Sequence, residues 1–240
     1  MTADPPPGDQ ARFEERLDEI RGRIDRASSD PASVRIVAVT KGFGLDRIRI
    51  ALAAGLVDIG ENYATELVGK ARDLAGGAAG VTATDPGAPA PSTGPTWHFL
   101  GAIQRNKVAR LAPVVDWWQT VSRVEEGTAI ARRRPGATVL VQVDVAGLPG
   151  RGGCSPEQVG DVVAALRDED LAVVGLMAVG SPGTPEEARP GFALVSRLAD
   201  TLSLPVRSMG MSDDLDVALA EGSTMVRLGR SLFGPRPPRP

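Results

Sequence analysis

The sequence predicts a (β/α)8 TIM barrel with an extra N-terminal helix, and three observations carry that prediction. Short segments rich in β-branched residues recur along the chain, helical patterns separate them, and glycine and serine cluster where strands would give way to helices. The strand segments are VRIVAVT (34–40), VDIGE (57–61), TWHFLG (96–101), WWQTVS (117–122), TVLVQVDV (138–145), LAVVGLMAVG (171–180), PVRSMGM (205–211) and TMVRLGR (224–230). Eight such segments in 240 residues suit a closed barrel. An open doubly wound sheet uses fewer strands and would leave some of them unplaced.

Ahead of the first strand, Phe13, Leu17, Ile20 and Ile24 recur at helical spacing within Gln10–Ala27, which predicts an amphipathic helix. Later helical patterns include LDRIRIALAAG, ATELVGKARDLAG, SPEQVGDVVAALRDED, PEEARPGFALVSRLADTL and DDLDVALAEG. Ser155 before Pro156-Glu157, and Ser212 before Asp213-Asp214, read as helix caps. Residues 1–9 and 235–240 are Pro-rich and read as disordered tails around one barrel domain, 10–234. Within it, residues 76–95 are rich in Gly, Ala, Pro and Thr without periodicity, and read as a flexible insertion. Lying between a helix and a strand, the insertion would hang from the face opposite the loops where barrels do chemistry.

Bulk properties narrow the function. A formal net charge of −3 gives no basic surface for nucleic acid. No apolar run reaches the ~20 residues that span a bilayer, and the first ten residues have no signal-like apolar core, so a cytoplasmic protein is expected. One cysteine and one histidine put the usual zinc ligand sets out of reach, so no metal is expected.

Four features could carry chemistry. Lys41 closes the first strand segment, and a lysine held by a rigid strand at a pocket can form a Schiff base. The same pattern also describes a strand leaving the core for water. Gly42 and Gly44, around Phe43, leave room beside the lysine for a flat ligand. The stretch 208–234 holds two successive strand-to-helix transitions, with Ser208 and Gly210 in the first and Gly229, Arg230 and Ser231 in the second. Barrels bind phosphate at those loops, although glycines there can simply make turns. Arg227 lies inside the last strand on the same face as Gly229, and a buried arginine needs a partner, either a ligand or an ion pair across the barrel. The loop GLPGRGG (147–153) fits no nucleotide motif, and Cys154 reads as a bystander thiol. His98 reads as a hydrogen-bonded core residue, and Trp117-Trp118 as packing.

The stretches VAVTKGF, DIGENYATEL, WHFLGAIQRNKV, GLMAV and SMGMSDDLDVALAEGSTMVRLGRSLFG together resemble the pyridoxal phosphate homeostasis proteins, single-domain barrels similar to the alanine racemase N-terminal domain. The resemblance runs from the first strand to Gly234, apart from 76–95. It implies a fold-type III barrel holding pyridoxal 5′-phosphate (PLP) covalently, as an aldimine on Lys41. Carried over by motif, Ser208, Gly229 and Arg230 would hold the phosphate, Arg227 would face the pyridine nitrogen, and Asn62 would lie near the aldimine side of the ring. The chain departs from the family at Ala102 and Arg105, where Pro and Ser are usual. It departs again at Arg230, often threonine, and at PGRGGCS, which replaces a lysine-bearing loop.

What the resemblance implies is a PLP carrier or buffer in intracellular vitamin B6 balance, with little or no catalysis. Its partners would be PLP and PLP-dependent apo-enzymes as recipients, with no nucleic acid and no membrane, and the chain would be a monomer. An amino-acid racemase, a lysine Schiff-base aldolase and a scaffold with vestigial PLP binding are the alternatives. Resembling racemases use a tyrosine from a second domain, whereas this chain has one tyrosine, Tyr63, early in the fold.

Overall fold

The computed structural model describes residues 8–77, 94–148 and 150–236. Its eight parallel strands close into a barrel in chain order. They are β1 (Arg35–Val39), β2 (Asp58–Glu61), β3 (Thr96–Phe99), β4 (Trp117–Val121), β5 (Thr138–Val143), β6 (Ala172–Ala178), β7 (Val206–Ser208) and β8 (Met225–Leu228). Each lies inside a segment expected from the sequence. The ends trimmed from those segments, such as Thr40-Lys41 after β1 and Gly229 after β8, belong to the loops that build the upper face. Closure comes from β8 pairing on β1, with Val37 opposite Arg227 and Ala38 opposite Leu228.

Helices fill the intervals: α2 (Leu45–Ala53), α3 (Ala64–Gly77), α4 (Arg105–Leu111), α5 (Val124–Ala131), α6 (Val159–Asp168), α7 (Pro185–Thr201), α8 (Leu215–Ala220) and α9 (Arg230–Phe233). The leading helix α1 (Asp9–Ala27) buries the four expected residues Phe13, Leu17, Ile20 and Ile24, and starts one residue inside the stretch read as a tail. Phe13 stacks on Phe233 of α9 at 5.3 Å, so α1 seals the seam beside β8 and β1. Of the expected tails and insertion, residues 1–7, 78–93 and 237–240 lie outside the described residues. Ser155 forms the expected cap, a capping box with Gln158. Ser212 does not: the residue before α8 is Asp214, whose Oδ1 accepts the Met211 N–H at 2.6 Å.

Strand residues alternate between two cores. Ile59, Trp97, Trp118 and Val139 pack outward against helix residues such as Ile48, Leu67, Ile130 and Phe192. Inside the barrel a smaller apolar group, Val37, Leu140, Met177 and Met225, fills part of the lumen. The rest of the lumen is polar: His98, Gln119, Ser208 and Arg227 are all buried there. Buried polar groups need hydrogen-bond partners, and these find them in one another. His98 is the hydrogen-bonded core residue expected, with Nε2 at 2.8 Å from Asp58 Oδ1 and Nδ1 at 2.7 Å from Gln119 Nε2. Trp118 is fully buried, whereas Trp117 stacks on His98 and receives the Arg35 guanidinium on its ring.

Burial is the main influence on His98 and pushes it below the usual histidine value, although Asp58 pulls the other way. Because the folded value lies below the unfolded one, the unfolded chain takes up the proton first. Stability from this residue is therefore complete above about pH 6.5 and drains away as pH falls. Urea unfolding should show stability falling as pH drops from 7 to 5, with a component from this group. That component should disappear in His98→Asn.

Candidate functional site

The loops after the strands enclose a cleft of about 520 Å3 at the upper face, a volume within the usual range for small-molecule sites. Lys41 and Val39 enter from β1, Asn62 from the end of β2, Arg227 and Gly229 from β8, and Met211-Ser212 from the turn after β7. A second cleft of about 510 Å3, between α3 and the start of β3, lies at the opposite end of the strands. Among the described residues its one ionisable group is Asp116, which is already engaged by the Trp97 N–H and Arg134. The upper cleft, which brings Lys41 and Arg227 together, is the candidate site.

Lys41 is half-buried, and burial is the first cause holding its ammonium below the usual lysine value. Arg236 is the second cause, Glu61 opposes them, and Arg227 adds a smaller push downward. Like charges and desolvation both favour the neutral amine, the form that attacks a carbonyl. The sequence reading placed Arg236 in a tail. Its side chain instead folds back over the cleft, with Cδ 3.5 Å from where a Cβ on Gly42 would lie. Gly42 has φ +75°, a turn conformation that a side chain would strain. Phe43 is packed against Phe233, so the flat space expected beside Lys41 is shared with Arg236 rather than left open.

The residues on either side of Lys41 are clamped by a charged cluster that sequence reasoning missed. Lys70 on α3 donates to the Thr40 carbonyl at 2.8 Å, to Glu61 Oε1 at 2.6 Å and to Glu66 Oε1 at 2.7 Å. Glu66 also accepts the Gly42 N–H at 2.7 Å, and the Thr40 hydroxyl donates to Glu61 at 2.6 Å. One ammonium, directly and through Glu66, thus fixes the backbone before and after Lys41. Glu61 is wholly buried, and burial pushes its carboxyl up against the opposing pull of Lys70. The spacing Glu66 to Lys70, i to i+4 on a helix, was the available signal.

Arg227 is buried, and burial brings its guanidinium down to about 10, so it is still a cation near neutrality. Nη1 donates to the Ser208 carbonyl at 2.6 Å and hydroxyl at 2.7 Å, and Nη2 to the Ala178 carbonyl at 2.7 Å. Of its five N–H bonds, three are committed among the described residues. Ser208 departs from the sequence expectation. It lies below the cleft with its hydroxyl spent on Arg227 and Gln119, because on β7 it faces into the lumen. Ser212 lines the cleft instead, accepting the Ser231 N–H at 3.2 Å. Arg230 lines the rim, but its exposed side chain turns to Asp213, which leaves only its backbone for the cleft. Asn62 donates weakly to the Leu100 carbonyl at 3.4 Å, while its Oδ1 is buried without a partner among the described residues. Cys154 is buried outside the cleft with its thiol pushed up to about 11, which fits the bystander reading. Among the described residues no His/Cys/Asp/Glu group is arranged for a metal, and no helix is long and apolar enough to cross a membrane.

Comparison with known proteins agrees with this architecture. A family model for the alanine racemase N-terminal domain matches residues 9–237. The pyridoxal phosphate homeostasis protein of Pseudomonas aeruginosa is 36% identical over 227 residues, covering 90% of this chain and 91% of the relative. The Escherichia coli K12 protein of the same name is 32% identical over 235 residues, with 91% and 93% covered. The chain belongs to the pyridoxal phosphate homeostasis protein family. Within known structures, PipY of Synechococcus elongatus with PLP bound superposes with a TM-score of 0.74 at 29% identity, covering 92% of this chain and 100% of PipY. An alanine racemase from Clostridium difficile shares the fold with a TM-score of 0.67 at 15% identity, and this chain spans 58% of it.

Removing the Lys70 ammonium would leave Glu61 and Glu66 facing each other near the barrel end. Lys70→Met is expected to lose about 3–5 kcal/mol in urea unfolding, the range for breaking one side of a buried pair. Adding Glu61→Gln should restore part of that loss.

Proposed function

We propose that this protein holds PLP in the upper cleft, attached covalently through Lys41, and serves PLP homeostasis in the cytoplasm by storing the vitamer and releasing it to apo-enzymes. The observation that carries this reading is that one cleft joins the Lys41 amine and the Arg227 guanidinium, delivered by the neighbouring strands β1 and β8. PipY, a relative of similar length, is described with PLP bound.

The residues fit the group on their own chemistry. Arg227 keeps two unspent N–H donors for a ring nitrogen, and Asn62 Oδ1 is a buried acceptor awaiting a donor. At Gly229 a Cβ would stand 3.2 Å from the Val39 carbonyl oxygen, so glycine lets the turn after β8 lie close against the end of β1. Ser212 and the backbone at 229–230 form that edge of the cleft, and Arg236 adds positive charge. Since the Arg230 side chain turns outward, an arginine where relatives often carry threonine leaves such a backbone cradle intact.

When bound, PLP supplies an aldehyde that joins reversibly to amines and a ring that draws electrons from what is attached. The chain's own groups favour holding over transformation. Lys41 provides the depressed amine, and Arg227, a permanent donor, cannot act as the carboxylate partner that keeps a pyridine nitrogen protonated. Tyr63 is exposed at the end of β2. Large apolar side chains exposed among the described residues are scattered, namely Val57, Tyr63, Leu148 and Met211, which supports a monomer.

The chain has three lysines, Lys41, Lys70 and Lys107, so mapping a trapped adduct is unambiguous. Protein mixed with PLP should turn yellow, bleach with borohydride, and carry the reduced adduct on the Lys41 peptide by mass spectrometry. Lys41→Ala should carry none, and an adduct retained on Lys70 or Lys107 would overturn the assignment. Incubation of the loaded protein with alanine in deuterated water should give no α-carbon exchange above background; rapid exchange would favour a racemase.

A further inference from the structure

The barrel lumen carries a polar chain that runs from the cleft toward the opposite end of the strands. Arg227 Nη1 donates to Ser208 Oγ at 2.7 Å, and Ser208 Oγ donates to Gln119 Oε1 at 2.7 Å. Gln119 Nε2 lies 2.7 Å from His98 Nδ1, and His98 Nε2 lies 2.8 Å from Asp58 Oδ1. Asp58 in turn receives Arg35 at the start of β1. The members come from β8, β7, β4, β3 and β2, and His98, Gln119 and Ser208 are fully buried.

The chain can run in only one direction. A guanidinium has donors and no acceptor, so the Ser208 hydroxyl accepts from it and must pass its single proton onward. That proton goes to a carbonyl oxygen, which turns the Gln119 amide NH2 toward His98, while the second amide N–H meets Met225 Sδ at 3.2 Å. His98 therefore accepts on Nδ1 and carries its proton on Nε2, aimed at a carboxylate that can only accept. A tautomer change at His98 would set donor against donor at Gln119 and acceptor against acceptor at Asp58. The need for such a line is plain at its upper end. Arg227 is a buried cation whose hydrogen-bond partners among the described residues are all neutral oxygens, so the orientation of each dipole matters.

We propose that Gln119 and His98 are positioning residues for Arg227: they lock the Ser208 hydroxyl in the orientation that aims the guanidinium into the cleft, and they end that line of donors on Asp58. The link to ligand binding rests on the PLP reading above; the link to Arg227 does not.

A ligand-free test is available because His98 is the one histidine in the chain, so its imidazole nitrogen signals need no assignment. Nitrogen-15 NMR should show a neutral ring protonated on Nε2, and Gln119→Leu and Ser208→Ala should each displace the Arg227 side-chain resonances. Circular dichroism and melting of the same variants establish that they fold. With PLP, Gln119→Leu should weaken binding about 10-fold, the scale of one hydrogen bond to a charged group. In an Arg227→Gln background it should add nothing, because its effect passes through that arginine. A ring protonated on Nδ1, unmoved Arg227 resonances in folded variants, or the same fold-loss in both backgrounds would each overturn the proposal. Wild-type protein that shows the expected NMR pattern yet takes up no PLP supports the relay and sinks the cofactor reading instead.

Discussion

A guanidinium buried inside a barrel is the constraint around which this molecule is arranged. Arg227 cannot shed its charge near neutrality, so the lumen must supply oxygen atoms at fixed points. Two come from carbonyls at the ends of β6 and β7, and one from the Ser208 hydroxyl. Barrel interiors are ordinarily packed with branched apolar side chains. Here that packing is confined to a small cluster around Val37, Leu140, Met177 and Met225, and polar residues occupy much of the remaining lumen. The cost of burying one cation is thereby spread over several strands.

Lys41 shows a second, related arrangement. Its lowered proton affinity and its placement are set by separate parts of the chain. Burial and the overhanging Arg236 depress the amine, while Lys70 grips Thr40 and, through Glu66, Gly42. A charge that perturbs is kept apart from a charge that positions. Lys70 itself is saturated by three acceptors, which leaves its ammonium with no proton free for other partners.

Family membership and geometry bear on different parts of the picture. Similarity to named relatives over nearly the whole chain gives the family. The departures from the family pattern fall where they disturb the cleft least. Arg230 turns its side chain to Asp213 at the rim, and Arg151, in the loop that lacks the usual lysine, donates to the Gly180 carbonyl. Both changes leave Lys41, Asn62 and Arg227 where one ligand could touch all three.

Strand count, the covering helix α1 and the candidacy of Lys41 and Arg227 were legible in the sequence, because each leaves a local mark. Branched runs make strands, four apolar residues at helical spacing make a buried face, and a charge inside an apolar run demands a partner. The role of Ser208 was not legible, since strand alternation places a side chain in the lumen without saying at which depth it meets Arg227. Ser212 was read as a cap because its sequence neighbours suit one, whereas its true partner, Ser231, comes from the next strand-to-helix turn. Arg236 was hidden for the same reason, being near Lys41 only after the barrel closes. Local chemistry in a sequence determines which elements form and which residues cannot rest unpaired. Only the closed barrel, through strand register and the return of β8 to β1, decided which of those residues meet.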